Sequence, residues 1–187
     1  MVRAILNGTK TQTRRIVTSE SLITLHADGT PAKAQHRSPY GQPGDQLWVR
    51  EEYYQRGHWE PVAGKTTKAG RQKWAFIPAD EVVSFDAPDH FRKGRHHLDS
   101  QTIAWHSRRA RFMPRFASRI TLEITGIRVE RLHDITGSEC VKEGMPDADG
   151  STIGEAKEWY RALWESINGQ GSWDANHFVC VIEFNRI

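Results

Sequence analysis

Gly8-Thr9-Lys10-Thr11-Gln12-Thr13-Arg14-Arg15 is the stretch on which the reading of this chain turns. It sets a glycine, a lysine, three threonine hydroxyls, an amide and two arginines side by side. The run follows the apolar Ala4-Ile5-Leu6 and precedes the β-branched pair Ile16-Val17. A short helix over residues 1–8 is therefore expected to end at Gly8, where a positive φ carries no steric cost, and a strand to begin near Arg15. A lysine withdrawn from water loses its proton more readily, because desolvation disfavours the ammonium. A threonine beside such a base is a candidate nucleophile, and neighbouring arginines suit a phosphate or an oxyanion. The same residues also describe a solvated basic turn, and taken alone they leave both readings open.

Moving outward, residues 46–51 follow a Gly-Asp turn and alternate Leu47 and Val49 with Trp48 and Arg50, which predicts a strand. The clearest strand runs from Ile120 to Leu132: Ile120, Leu122 and Ile124 alternate with Thr121, Glu123 and Thr125, and Gly126 permits a bend. Residues 136–144 read as a helix, with Thr136 as N-cap, Glu139 completing a capping box and Gly144 as the stop. A second helix is expected over about 155–167, burying Trp159, Leu163 and Ile167 on one face. Residues 178–184 form a closing strand. Short strands are also expected at 15–17 and 21–25, and turns at Asp28-Gly29 and Pro43-Gly44 within a loop-rich 26–45. Residues 52–102 look irregular, with one strand near 73–77.

The chain has 187 residues, enough for one domain with a sizeable core, or one domain carrying a long insertion. Its formal charge is only +3, but from Phe91 to Arg119 eight Lys or Arg stand against one acid, Asp99, with His96, His97 and His106 among them. Such a field suits a polyanion, nucleic acid above all, unless acids elsewhere in the fold neutralise it. The two cysteines, Cys140 and Cys180, offer neither a disulfide framework nor zinc spacing, so a reducing cytoplasm is expected, with Cys180 a packed core thiol. No run approaches the roughly twenty apolar residues of a membrane span, and no signal peptide is evident. Asp147-Ala148-Asp149-Gly150 lacks the remaining ligands of a calcium loop. No metal and no cofactor are expected.

The opening stretch resembles the G-x-K-x-x-x-x-R signature of the ASCH domain, with Gly8, Lys10 and Arg15 at its fixed positions. Further similarity runs through residues 40–51, 113–120, 163–169 and 179–184, covering nearly the whole chain except 52–102. The phage and prophage branch of these proteins is the most similar. The resemblance implies an α+β fold: a small mixed, mostly antiparallel PUA-like β-barrel with flanking helices. It also implies a single domain over 1–187 with a variable insertion at about 52–102. Relatives usually carry a strand before the segment equivalent to Met1; without it the barrel is expected to have an open edge, through which a dimer could form.

Small bacterial members of the superfamily are amidohydrolases that remove the acetyl group from N4-acetylcytidine through a Lys–Thr–Glu site. Carried over, the lysine and threonine are Lys10 and Thr13. The glutamate is Glu143, placed by its position before Met145; Glu139 competes, although its capping role explains it without catalysis. Thr13 would attack the acyl carbonyl, Lys10 would take its proton, and Glu143 would orient Lys10 or protonate the leaving amine. Backbone N–H groups near Gly8, or Arg15, would stabilise the oxyanion. Trp48, Arg50 and Glu51 are candidate contacts to a base, and Arg115 and Arg119 to a phosphate backbone. His106 is a further candidate. The expected substrate is an N4-acylated cytidine-type nucleoside or modified RNA; a non-catalytic RNA-binding module and a ribonuclease of the same family are the alternatives.

Overall fold

The computed structural model describes residues 2–18, 38–96, 98–146 and 152–187. In chain order the elements are α1 (Val2–Leu6), β1 (Gln12–Ile16), β2 (Gln46–Trp48), β3 (Tyr53–Thr66), β4 (Gln72–Ser84), β5 (Ala104–Arg108), β6 (Thr121–Arg131), α2 (Gly137–Lys142), α3 (Ile153–Asn168) and β7 (Phe178–Arg186). The strand and turn expected at 21–25 and 28–29, and the Asp147–Gly150 segment, lie outside the described residues. The fold is mixed α+β with mostly antiparallel sheets, and the chain divides into two compact units, Met1–Leu47 with Ile120–Ile187, and Trp48–Arg119.

The first unit is built on β7, whose consecutive buried residues Val179, Cys180, Val181 and Ile182 mark a strand covered on both faces. It lies between β1 and β6, antiparallel to both, in a sheet of order β1-β7-β6-β2. On one face Val179 and Val181 pack with Leu132, Ile135, Cys140, Tyr160 and Trp164 beneath α2 and α3. On the other, Cys180 and Ile182 pack with Ile124, Leu47 and Tyr40. The four strands expected near 15–17, 46–51, 120–131 and 178–184 thus form one sheet.

Both helices start as their capping residues require. Thr136 accepts from the Glu139 N–H, and the Glu139 carboxylate accepts from the Thr136 N–H at 2.9 Å. Thr152 and Glu155 repeat the arrangement for α3. The buried face of α3 differs from expectation: Ala156, Tyr160 and Trp164 turn inward, whereas Trp159 and Leu163 are half-buried and Ile167 is exposed. Two adjacent stripes at i, i+4 run along this helix, and the amphipathic Tyr160 leads the one that is buried.

In the second unit the strand expected near 73–77 lies within β4, and the reading of the rest of 52–102 as irregular is corrected. β3 and β4 form a long antiparallel hairpin, and β5 pairs with the start of β3, giving the order β4-β3-β5. Only Tyr53, Gln55 and Gly57 of β3 are buried, so its outer half shows no hydrophobic alternation. Pro61, which speaks against a strand, sits beyond the residues paired by β5, where its missing N–H costs no ladder bond. Tyr53, Met113 and Ala117 form a small core flanked by Val83 and Phe85.

Candidate functional site

Lys10 is held between two helix ends. After α1 the chain turns at Gly8, with φ of 76°, and the Lys10 N–H donates to the Ala4 carbonyl at 3.0 Å. Next, the Thr11 N–H donates to the Lys142 carbonyl at 2.9 Å, so the chain runs beside the last turn of α2 before entering β1. That turn closes with Glu143 as C-cap and with Gly144, whose φ is 94°. A β-carbon on Gly144 would stand 3.2 Å from the Lys10 β-carbon and 3.1 Å from that of Ala4. The glycine is needed both for its backbone and for the close approach that sets Lys10 opposite Glu143.

Lys10 Nζ donates to Glu143 Oε2 at 2.7 Å and to the Glu143 carbonyl at 2.8 Å, and both side chains are 3% exposed. Glu143 is therefore no surface residue at a helix end. Its other oxygen, Oε1, accepts from Arg14 Nη1 at 3.0 Å. Arg14, fully buried at its side chain, also reaches Glu130 at 2.7 Å and Glu139 at 3.2 Å. Arg128 ties the same Glu130 and Glu139 to Glu183. Burial pushes the Lys10 ammonium below the ordinary lysine value; Glu143 pulls the other way, and Arg15 and Arg14 add to the lowering. For Glu139 burial opposes the charge, yet the Thr136 N–H, Arg14 and Arg128 together hold its carboxyl below the usual value.

A cavity of about 430 Å³ adjoins the pair, within the range of small-molecule sites. Lys10, Glu143, Arg14, Tyr160 and Trp164 line it, together with Thr13, Arg15 and Tyr40. The register explains the mixture. Arg14 stands opposite Val181 and Thr13 opposite Ile182, residues on opposite faces of β7. Because β1 is the outermost strand of its sheet, the cavity draws on both of its faces. The hydrogen bonds of Lys10 Nζ go to Glu143 and none goes to Thr13. Trp164 Nε1 is buried with no acceptor among the described residues.

Lys10, Thr13, Glu143 and Arg15 are thus brought to one cavity, with Gly8 at the turn that positions Lys10. Arg15 is exposed and donates to the Arg14 carbonyl at 3.0 Å. Trp48, Arg50, Glu51, Arg115 and Arg119 belong to the second unit and form a separate cluster. There Glu51 is buried and takes both bonds of a bidentate pair from Arg119, each 2.9 Å, so the charges of the two groups are spent on each other. The ring of Trp48 carries the guanidinium of Arg50 at 4.5 Å and that of Arg115 at 5.8 Å. His106 is a core residue, 1% exposed, packed on Trp59 and Phe76, and burial lowers its pKa. Sequence reasoning missed Tyr160, and missed that Arg14 is buried on three carboxylates. The signal for Arg14 was the i, i+2 spacing of Gln12 and Arg14, which puts both on the buried face of a strand.

No protein-family model, no curated protein and no solved structure matches this chain. Among the described residues no three His, Cys, Asp or Glu side chains converge as metal ligands would, and no helix is long and apolar enough to cross a membrane.

Proposed function

We propose that this protein is a hydrolase that removes the acyl group from N4-acylated cytidine-type nucleosides, with Lys10, Thr13 and Glu143 as its reacting groups. The observation that carries the reading is the buried Lys10–Glu143 pair in the wall of a nucleoside-sized cavity. A lysine whose ammonium is disfavoured by burial is a competent proton acceptor, and a carboxylate on the same nitrogen orients it. Tyr40, Tyr160 and Trp164 give the cavity aromatic walls suited to a base. The resemblance of residues 8–15 to the ASCH signature supports the same reading, and with it a PUA-like barrel as the ancestry of the fold.

In this mechanism the Thr13 Oγ attacks the acyl carbonyl carbon from its own face of β1, and its proton passes to the neutral Lys10 amine. The C–N bond then breaks, and the departing N4 takes the proton back from Lys10. Water attacks the acyl–threonine ester and gives a proton to Lys10; as the ester C–O bond breaks, Lys10 passes that proton to Thr13 Oγ, and the acid is released. Arg15, which lines the same cavity, stabilises the oxyanion.

The test is incubation of the protein with N4-acetylcytidine, followed by chromatography for cytidine and acetate. Turnover that disappears in Thr13→Ala is the expected result. Turnover that survives in Thr13→Ala assigns the attack to water and removes the covalent step. No cytidine from either the nucleoside or acetylated RNA overturns the reading.

A further inference from the structure

Charge is divided unequally along this chain. Trp48–Arg119 holds 14 Lys or Arg against 8 Asp or Glu, whereas the rest of the sequence holds 12 against 15. Part of the excess is neutralised within the second unit: Arg56 pairs with Asp80, Arg92 with Asp99 and Arg119 with Glu51. Arg50, Arg108, Arg109, Arg111 and Arg115 have no carboxylate partner among the described residues. Three of these are joined into one surface. Arg50 and Arg115 share the Trp48 ring, Arg50 Nη1 donates to the Arg111 carbonyl at 3.3 Å, and the Arg111 guanidinium lies 4.8 Å from the Phe112 ring.

The surface is built rather than loose. The Tyr53 hydroxyl donates to the Phe112 carbonyl at 2.9 Å, Ser118 Oγ donates to the Val49 carbonyl at 2.9 Å, and Met113 and Ala117 are buried on either side of the turn. Two short 3-10 turns, Ala110–Phe112 and Arg115–Ala117, therefore hold the backbone from which Arg111 and Arg115 project, while Phe112 remains 51% exposed with Arg108 at 5.2 Å and Arg111 at 4.8 Å from its ring. An exposed ring held between unpaired cations matches a polyanion that also carries open aromatic faces. A duplex offers phosphates with its bases already stacked, and a run of Asp and Glu offers charge without rings, whereas a single strand sets a ring beside every phosphate.

We propose that this face of the second unit binds single-stranded nucleic acid, with Arg50, Arg111 and Arg115 on phosphates and an unpaired base stacked on Phe112. This surface is independent of the hydrolase reading, because none of its residues lines the cavity.

The experiment is fluorescence anisotropy of the whole protein with a labelled single-stranded 12-mer of uridines and with a duplex of equal length, each across a salt series. The single strand is expected to bind more tightly. Changing Arg50, Arg111 and Arg115 together to Gln should flatten the plot of log K against log salt by about 2, at roughly 0.7 for each phosphate no longer neutralised. Phe112→Ala should weaken single-strand binding about tenfold with the slope unchanged, and Phe112→Tyr should restore it. Arg119→Gln, whose charge is spent on Glu51, should leave the slope as it is. An unchanged slope in the triple variant overturns the phosphate contacts. Equal affinity for the duplex together with a silent Phe112→Ala reduces the face to a general polyanion surface and overturns the proposal.

Discussion

In the wall of the cavity Glu143 has two partners, Lys10 on Oε2 and Arg14 on Oε1, so a substitution at Lys10 leaves half of that carboxylate without a donor. Lys10→Met should therefore cost about 2 kcal/mol, because a buried carboxylate that keeps Arg14 on one oxygen still loses the donor of the other. Glu143→Gln in the same chain removes the stranded charge. The double variant should then fall short of the summed single losses by about 1 kcal/mol or more, as read from denaturant melts. Strict additivity would mean that the pair is not coupled. A second expectation concerns pH. Activity that needs the neutral amine rises as pH climbs towards the Lys10 pKa, which lies below 10.5. Arg15 contributes to that lowering, so Arg15→Gln should raise the pKa and move the ascending limb of the pH–rate profile to higher pH. A limb that stays in place would show that some other group titrates. Lys10 and Thr13 were legible in the sequence because they stand in one short motif. The role of Arg14 was not, since its three carboxylate partners lie more than a hundred residues away in the chain.

At the level of elements, α2 does two things at once. The carboxylate of Glu139 closes the capping box with Thr136 and also meets Arg14 and Arg128, and the Glu139 carbonyl accepts from Gln12 at 3.0 Å. Thr136→Ala should cost about 1 kcal/mol as a lost cap, and should also disturb the cavity wall through Glu139. Thr152→Ala, the matching change on α3, should cost about the same with turnover unaffected, since its partner Glu155 contacts nothing in the network. Equal effects of both changes on turnover would separate capping from the site. Capping boxes are local, and the one at Thr136 could be read from four residues. The β3–β4 hairpin could not, because it includes Pro61 and Gly57 and its outer half faces solvent on both sides. Periodicity reports burial, and a ribbon with little burial has little to report.

For the whole molecule, the unequal division of charge was visible along the sequence, but which arginines are spent on carboxylates was not. Glu51 and Arg119 are 68 positions apart, and only the folded second unit joins them. The four strands of the first sheet were each recognisable, whereas their order depends on pairings between distant segments. That sheet has one more consequence. Two thiols lie on its opposite sides: Cys140, on α2, in the core that α2 and α3 form with Val179 and Val181, and Cys180, on β7, in the core with Ile124 and Tyr40. Both are buried, and burial raises their pKa, that of Cys140 to about 11, so the reactive thiolate is scarce at neutral pH. Iodoacetamide should leave the native protein unmodified and alkylate both residues in denaturant, as read by intact mass; prompt modification of the native chain would contradict this packing. In intermediate denaturant, the residue that reacts first identifies the layer that parts first. The protein thus carries two built-in clocks, one for each face of a single sheet.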